Sequence, residues 1–330
     1  MTKLMANGIE INEHQYSIEP ILCSDLKFLL LGMGLTGANE DYFCPFCYCS
    51  KKELKINSAK KWSIDRQWDK TNNQGNKCVE VCGQIAANKN YGHIRKPLQL
   101  LRKLCIKNNI VVDTLHLFLR ISDVLLVNFF GDIVLQYRGK QTLLVTALTT
   151  IEDICYQKVN IKLRFRQDAC KLAWTALEGE EREKLHELFP TYMKHHQLLE
   201  DHNRLGKIIT LWEDFNTIMK LLRSDHYMGP NEIEQFHNRT KLWVSHFVTL
   251  YTTDALTPYI HILHHHIHEL LELHQGNIHR YTCEGLEKKN DQNKNDYYKC
   301  VAVGGGKVGP EAILKSLAEK QNRQLFYQKK

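Results

Sequence analysis

The chain has 330 residues, 43% of them apolar and 25% charged, with a formal net charge of +7. That apolar content suffices for one or two packed domains, and with 18 Gly and 7 Pro it excludes collagen-like and disordered chains. Eleven cysteines, an odd number with one tight cluster, exclude a disulfide scaffold and suit a reducing, intracellular compartment.

The positive charge is segregated. Residues 51–110 hold 14 Lys/Arg against 4 Asp/Glu, residues 277–330 hold 11 against 6, and the remainder sums to −8. A chain that concentrates cations in two stretches is built to face a polyanion, and nucleic acid is the commonest one.

In chain order, the amino-terminal residues have neither an apolar run of signal-peptide length nor the composition of a transit peptide. Residues 17–24, SIEPILCS, are β-permissive and lead through Ser24-Asp25 into the helix-like LKFLLLGMGL, a strand, acid, helix pattern. Gly34, Gly37 and Asn39 end that helix, the knuckle FCPFCYCSKK follows, and residues 51–92 read as loop-rich. From Ile94 the pattern predicts helices, the first with Pro97 in its opening turn and Leu98, Leu101, Leu104 and Cys105 on one face. Residues 112–130 give a strongly apolar helix. Asp113, His116, Arg120 and Asp123 lie within it, so it is a buried helix and no membrane span.

Residues 152–200 predict two or three amphipathic stretches with a break at Pro190. Leu211, Trp212, Phe215, Ile218, Met219 and Leu222 fall at helical spacing and are expected in the core. Gly229-Pro230 marks a turn, residues 233–250 another helix, and Pro258 opens a last apolar helix to Leu273. The run GGGKVG at 304–309 reads as a linker before a short helix at 311–324, and no internal repeat is evident.

Cys44-Pro45-Phe46-Cys47 has the spacing with which two thiolates grip one tetrahedral zinc, but it is half a site. Seven of the seventeen histidines lie within residues 261–279 and supply candidates for the other half. His261 and His265 are four apart on a helix, whereas His261 and His266 require a departure from ideal helix. Spacing leaves both pairs open. A single zinc shared by the knuckle and two of these histidines is the favoured reading, and it would close a loop of over two hundred residues. The acids form a second set: Asp25 after a strand-like run, with Glu284 and Glu287 in TCEGLEKKND. Converging carboxylates can hold two Mg²⁺ ions for in-line attack on a phosphodiester.

Taken in order, Asp25, the Cys-x2-Cys at 44 and 47, Asp113-Thr-Leu-His116, His261 with His266, and the Glu-Gly-x-Glu-x-x-Asn of 284–290 resemble the catalytic core of the V(D)J recombinase and the Transib-like cut-and-paste transposases. The resemblance implies an RNase H-like fold whose Asp, Asp and Glu bind two metal ions, interrupted by a helical insertion stapled by zinc. It makes Asp25 the second catalytic acid, Glu284 the third, and His116 a histidine near the active site. It makes Cys44, Cys47, His261 and His266 the zinc ligands, and so selects His266 over His265. Glu287 and Asn290 match the flanks of the last motif and receive no role.

The fold class expected is therefore mainly α with a small α/β remnant. Residues 1–43 would form a remnant of the RNase H-like core, 44–275 the zinc-binding helical insertion, and 276–330 a core helix with its Glu and a basic tail. Structural Zn²⁺ is implied, with Mg²⁺ or Mn²⁺ for the parent activity. DNA is the expected partner, a homodimer is a further expectation, no membrane is involved, and the nucleus is the expected location. The family's first catalytic Asp has no counterpart in the twenty-four residues before Asp25, so the chain is expected not to cleave DNA by itself. The competing reading is a helical, zinc-stabilised protein-interaction domain whose basic stretches meet an acidic partner. A zinc hydrolase is disfavoured, because His268-Glu269-Leu270-Leu271-Glu272 places Glu where the second histidine of His-Glu-x-x-His would stand, and GGGKVG lacks the spacing of a phosphate loop.

Overall fold

The computed structural model describes residues 7–56, 60–67, 90–98, 104–168, 171–289 and 292. The chain divides into two compact units, the first ending at Tyr281 and the second beginning at Thr282. The first unit is mainly helical with small sheets. An antiparallel pair, β1 (Ile9–Ile11) and β2 (His14–Tyr16), opens it. Strand β3 (Leu22–Ser24) pairs in parallel with β4 (Ile110–Val112), with Ser24 opposite Val112. Among the described residues the strands make three two-stranded sheets. The expected strand, acid, helix pattern is present: Asp25 follows β3 and caps α1 (Leu26–Gly32) by accepting from the Phe28 N–H. Gly34 ends the turn after α1 at φ +74°, where a Cβ would lie 2.2 Å from the Arg95 carbonyl oxygen.

That close approach overturns the helix expected from Ile94. Residues 94–98 and 104–105 are not helical. The Ile94 and Arg95 amides donate to the Gly34 carbonyl and the Leu98 amide to that of Gly32, so hydrogen bonds to the end of α1 set the course of this stretch. The rest of that segment, Asn290, the 304–309 linker and the 311–324 helix lie outside the described residues. A short helix α2 (Lys51–Ile56) occupies the start of the stretch read as loop-rich.

The core is organised around α3 (Thr114–Gln136), which begins after β4 and runs past the expected end at 130. Asp113 caps it by accepting from the His116 N–H. Phe118, Phe129 and Phe130 are buried along it. Phe129 meets Phe189 on α5 (Gly179–His196) and Trp212 on α6 (His202–Leu222), with centroids 5.7 and 6.3 Å apart. Each such ring contributes roughly 2–3 kcal/mol of burial. The six residues predicted for the core of α6 are all buried. Helix α7 (Pro230–Tyr251) is tied to α6 by the Trp243 indole, which donates to the Leu211 carbonyl at 2.9 Å.

Two further expectations are corrected. Between α4 (Gln141–Ile154) and α5 lies a hairpin, β5 (Phe165–Asp168) and β6 (Lys171–Trp174), where amphipathic helix was expected. Its Phe165 and Trp174 close on Phe130 at 4.8 and 5.0 Å between centroids, so a tertiary contact decides the conformation of a segment too short to show a period of two. Pro190 lies inside α5 rather than at a break. Among the described residues no helix is long and apolar enough to cross a membrane.

Candidate metal centre

The last helical stretch begins at Pro258 as expected but bends. Helix α8 (Pro258–His265) and α9 (Ile267–Leu273) meet at His266, which has φ −119°. Hydrogen bonding passes through the bend, with His266 N–H donating to Ile262 and accepting Leu270 N–H on its own carbonyl. The departure from ideal helix swings His266 onto the side of His261, and both face the knuckle.

Cys44, Cys47, His261 and His266 are each at most 1% exposed, and their ligand atoms all lie within 4.8 Å of one another. Cys44 Sγ is 3.4 Å from His266 Nε2, Cys47 Sγ 3.3 Å from His261 Nε2, and the two Nε2 atoms are 3.2 Å apart. In a zinc tetrahedron with bonds of 2.0–2.3 Å the edges are about 3.3 Å between nitrogens and about 3.5 Å between nitrogen and sulfur. The donor set, two thiols and two imidazoles in a closed buried pocket, fits a structural zinc. His265 is buried beside His261, rings 4.8 Å apart, but does not join the cluster.

The electrostatics point the same way. Burial opposes ionising Cys44, yet its hydrogen bonds with Cys47, His261 and His266 and the His266 charge hold the thiol well below its usual range. Burial, and then the neighbouring Cys44 sulfur, push Cys47 well above it. Two thiolates at this distance repel, and a dication at the centre removes that conflict. Burial lowers His261, leaving the imidazole neutral as a ligand must be.

A residue that sequence reasoning missed completes the knuckle. Arg66 is 2% exposed; its Nε donates to the carbonyls of both Cys44 and Cys47 at 2.9 Å, and an Nη donates to Tyr91 at 3.1 Å. Its guanidinium lies 4.6 Å from the centre of the Tyr48 ring. Burial disfavours its charge, and the two cysteine sulfurs are the first groups that offset this. Nothing in the sequence distinguishes Arg66 from the other cations of the basic stretch. Phe43 packs edge-on to His261 and Phe46 against His266, with centroids 5.2 and 5.5 Å apart, so ring packing fixes the imidazoles.

The acids are placed as follows. Asp25 and Asp113 each follow the last residue of a strand in the parallel β3–β4 pair, so both lie at its carboxyl end. Asp113 is fully buried, and its Oδ2 lies 2.6 Å from Nδ1 of the half-buried His116. Tyr259 of α8 accepts the Leu26 N–H beside Asp25. Glu284 belongs to the second unit, at the first residue of a helical stretch over 284–289. No protein-family model matches the chain, and no curated protein matches it.

Proposed function

We propose that this chain is a transposase-derived DNA-binding protein of the V(D)J recombinase and Transib-like kind, with one structural zinc on Cys44, Cys47, His261 and His266. The observation that supports it is the meeting of a knuckle and two histidines more than two hundred residues apart. Those are the four residues the family resemblance selects, including His266 over its neighbour. The zinc would cross-link the segment after α1 to the α8–α9 bend. Its contribution is folding free energy, because the four ligands are far apart in an unfolded chain.

In this reading Asp25 and Glu284 each occupy the position of a catalytic carboxylate, and His116, held by Asp113, is the neighbouring imidazole. The parent enzymes hydrolyse and transesterify DNA phosphodiesters with Mg²⁺ or Mn²⁺. DNA is then the partner, a second copy of the chain a further one, and the nucleus the place of action.

Elemental analysis of the purified protein tests the centre. One zinc per chain is expected, lost in Cys47→Ser and His266→Gln and retained in His264→Gln. Zinc indifferent to Cys47, or no zinc, sinks the reading. The DNA partner is tested by affinity for duplex DNA across a salt series, and failure to bind at low salt would remove it.

A further inference from the structure

Next to the metal centre three segments enclose a second cavity, of about 260 Å³. Residues 60–63 form one wall, His237 and Lys241 of α7 a second, and His264, His265 and His268 of α8 and α9 a third. The volume is below the usual range for drug-sized ligands and admits a group of a few atoms.

The lining is cationic. Lys60, Lys61 and Lys241 face a single acid, Glu269, whose Oε2 already accepts the Ile64 N–H at 2.9 Å. Lys60 Nζ is held 3.8 Å from the centre of the Trp62 ring and 2.9 Å from Glu53, which pairs its charge and leaves Lys61 and Lys241 as the cations for a ligand. The rings of His237 and His268 stack with centroids 3.5 Å apart, and the Nδ1 of each is buried without a hydrogen-bond partner among the described residues. A cation entering here would meet lysines, whereas an oxyanion would meet ammonium groups and imidazole N–H donors.

We propose that this cavity binds a phosphate group, and that in the working protein the group is a backbone phosphodiester of DNA. The identity of the strand rests on the DNA-binding reading above; the preference for an oxyanion follows from the cavity's own residues. The site lies on the segment that Arg66 and the metal ligands hold in place, so the phosphate would be read next to the zinc staple.

The test uses the full chain and two probes: inorganic phosphate, followed by calorimetry, and a labelled DNA duplex, followed by anisotropy over a salt series. Lys61→Gln/Lys241→Gln is compared with Lys158→Gln/Lys184→Gln, whose lysines lie outside the cavity. The cavity variant is expected to lose phosphate binding and to bind DNA about tenfold more weakly, with the log–log salt slope reduced by about 1. The control should keep wild-type phosphate binding. Phosphate binding by the wild-type chain without DNA binding would support the cavity and overturn the strand as its source. DNA binding with an unchanged slope in the cavity variant would overturn the cavity and leave the DNA-binding reading intact. Absence of phosphate binding in the wild-type chain, or a divalent ion beyond the first zinc that is lost in His237→Asn, would overturn the proposal.

Discussion

The side-chain amide of Asn216 on α6 donates to the backbone carbonyl of His186 on α5, the acceptor that Pro190, four residues later, has no N–H to serve. A proline inside a helix leaves that carbonyl without its intrahelical donor, and here a neighbouring helix supplies one. Asn216→Ala should therefore cost about 1–3 kcal/mol, the penalty of an unpaired buried carbonyl. In a Pro190→Ala background the same substitution should cost distinctly less, because the new amide reaches His186. Equal costs in both backgrounds, read from denaturant midpoints, would refute the compensation.

Arg66 is a buried charge whose Nε serves the carbonyls of both metal-site cysteines. Arg66→Met should destabilise the protein by roughly 3 kcal/mol. Zinc affinity should fall by about ten- to a hundredfold, as for other residues that orient ligands. Lys should not rescue it, since a single ammonium lacks the planar fork. Competition with a chromophoric chelator reads the affinity, and wild-type zinc retention in Arg66→Met would contradict the assignment.

Asp25 has a capping role that is separable from any role of its charge. Asp25→Ala removes the acceptor for Phe28 N–H and should cost about 1 kcal/mol, whereas Asn at the same position caps nearly as well. Thermal unfolding of both variants separates the two effects: an Asp25→Asn as stable as the wild type beside a destabilised Asp25→Ala would show that the fold uses the cap and not the charge. Equal destabilisation by Ala and Asn would show that the cap is not what Asp25 contributes.

His186 is fully packed, its ring stacked on Trp212 with centroids 4.5 Å apart. Burial, and next the Arg182 charge, lower it from 6.5 to about 3. Between those values the unfolded chain binds a proton that the folded chain does not, so stability rises with pH across this window. The contribution is complete above pH 6.5 and is lost progressively as the pH falls toward 3, with a total of a few kcal/mol. His186→Phe keeps the stack and removes the proton. Its unfolding midpoint should depend less steeply on pH between about 6 and 4 than that of the wild type, and parallel curves would disprove the linkage.

Much of the fold was legible where local pattern and packing agree. The apolar spacing of residues 208–222, the helix over 233–250 and the strand, acid, helix order around Asp25 all needed only side-chain periodicity and cap chemistry, whereas Gly229-Pro230, read as a turn, is the cap and first residue of α7. The misplaced elements are those whose donors or rings are claimed by distant residues. The helix expected from Ile94 gives its amides to the end of α1, the 165–174 hairpin closes on Phe130, and Pro190 is accommodated by Asn216.

For the candidate site, the amino-acid sequence by itself supplied the parts: a Cys-x2-Cys knuckle, a crowd of histidines, and segregated positive charge. Spacing could not choose between His265 and His266, because an ideal helix brings His265 beside His261 and a bend brings His266 there, and the spacing does not show whether the chain bends. Tertiary structure decided it. The chain turns at His266, bringing its Nε2 to the knuckle with ligand atoms at tetrahedral separations, while Arg66 gathers the two cysteine carbonyls from a loop with no motif of its own. Local sequence fixes which groups are available and which conformations they prefer; which of them meet is set by long-range packing, whose partners lie hundreds of residues away and leave no periodic trace.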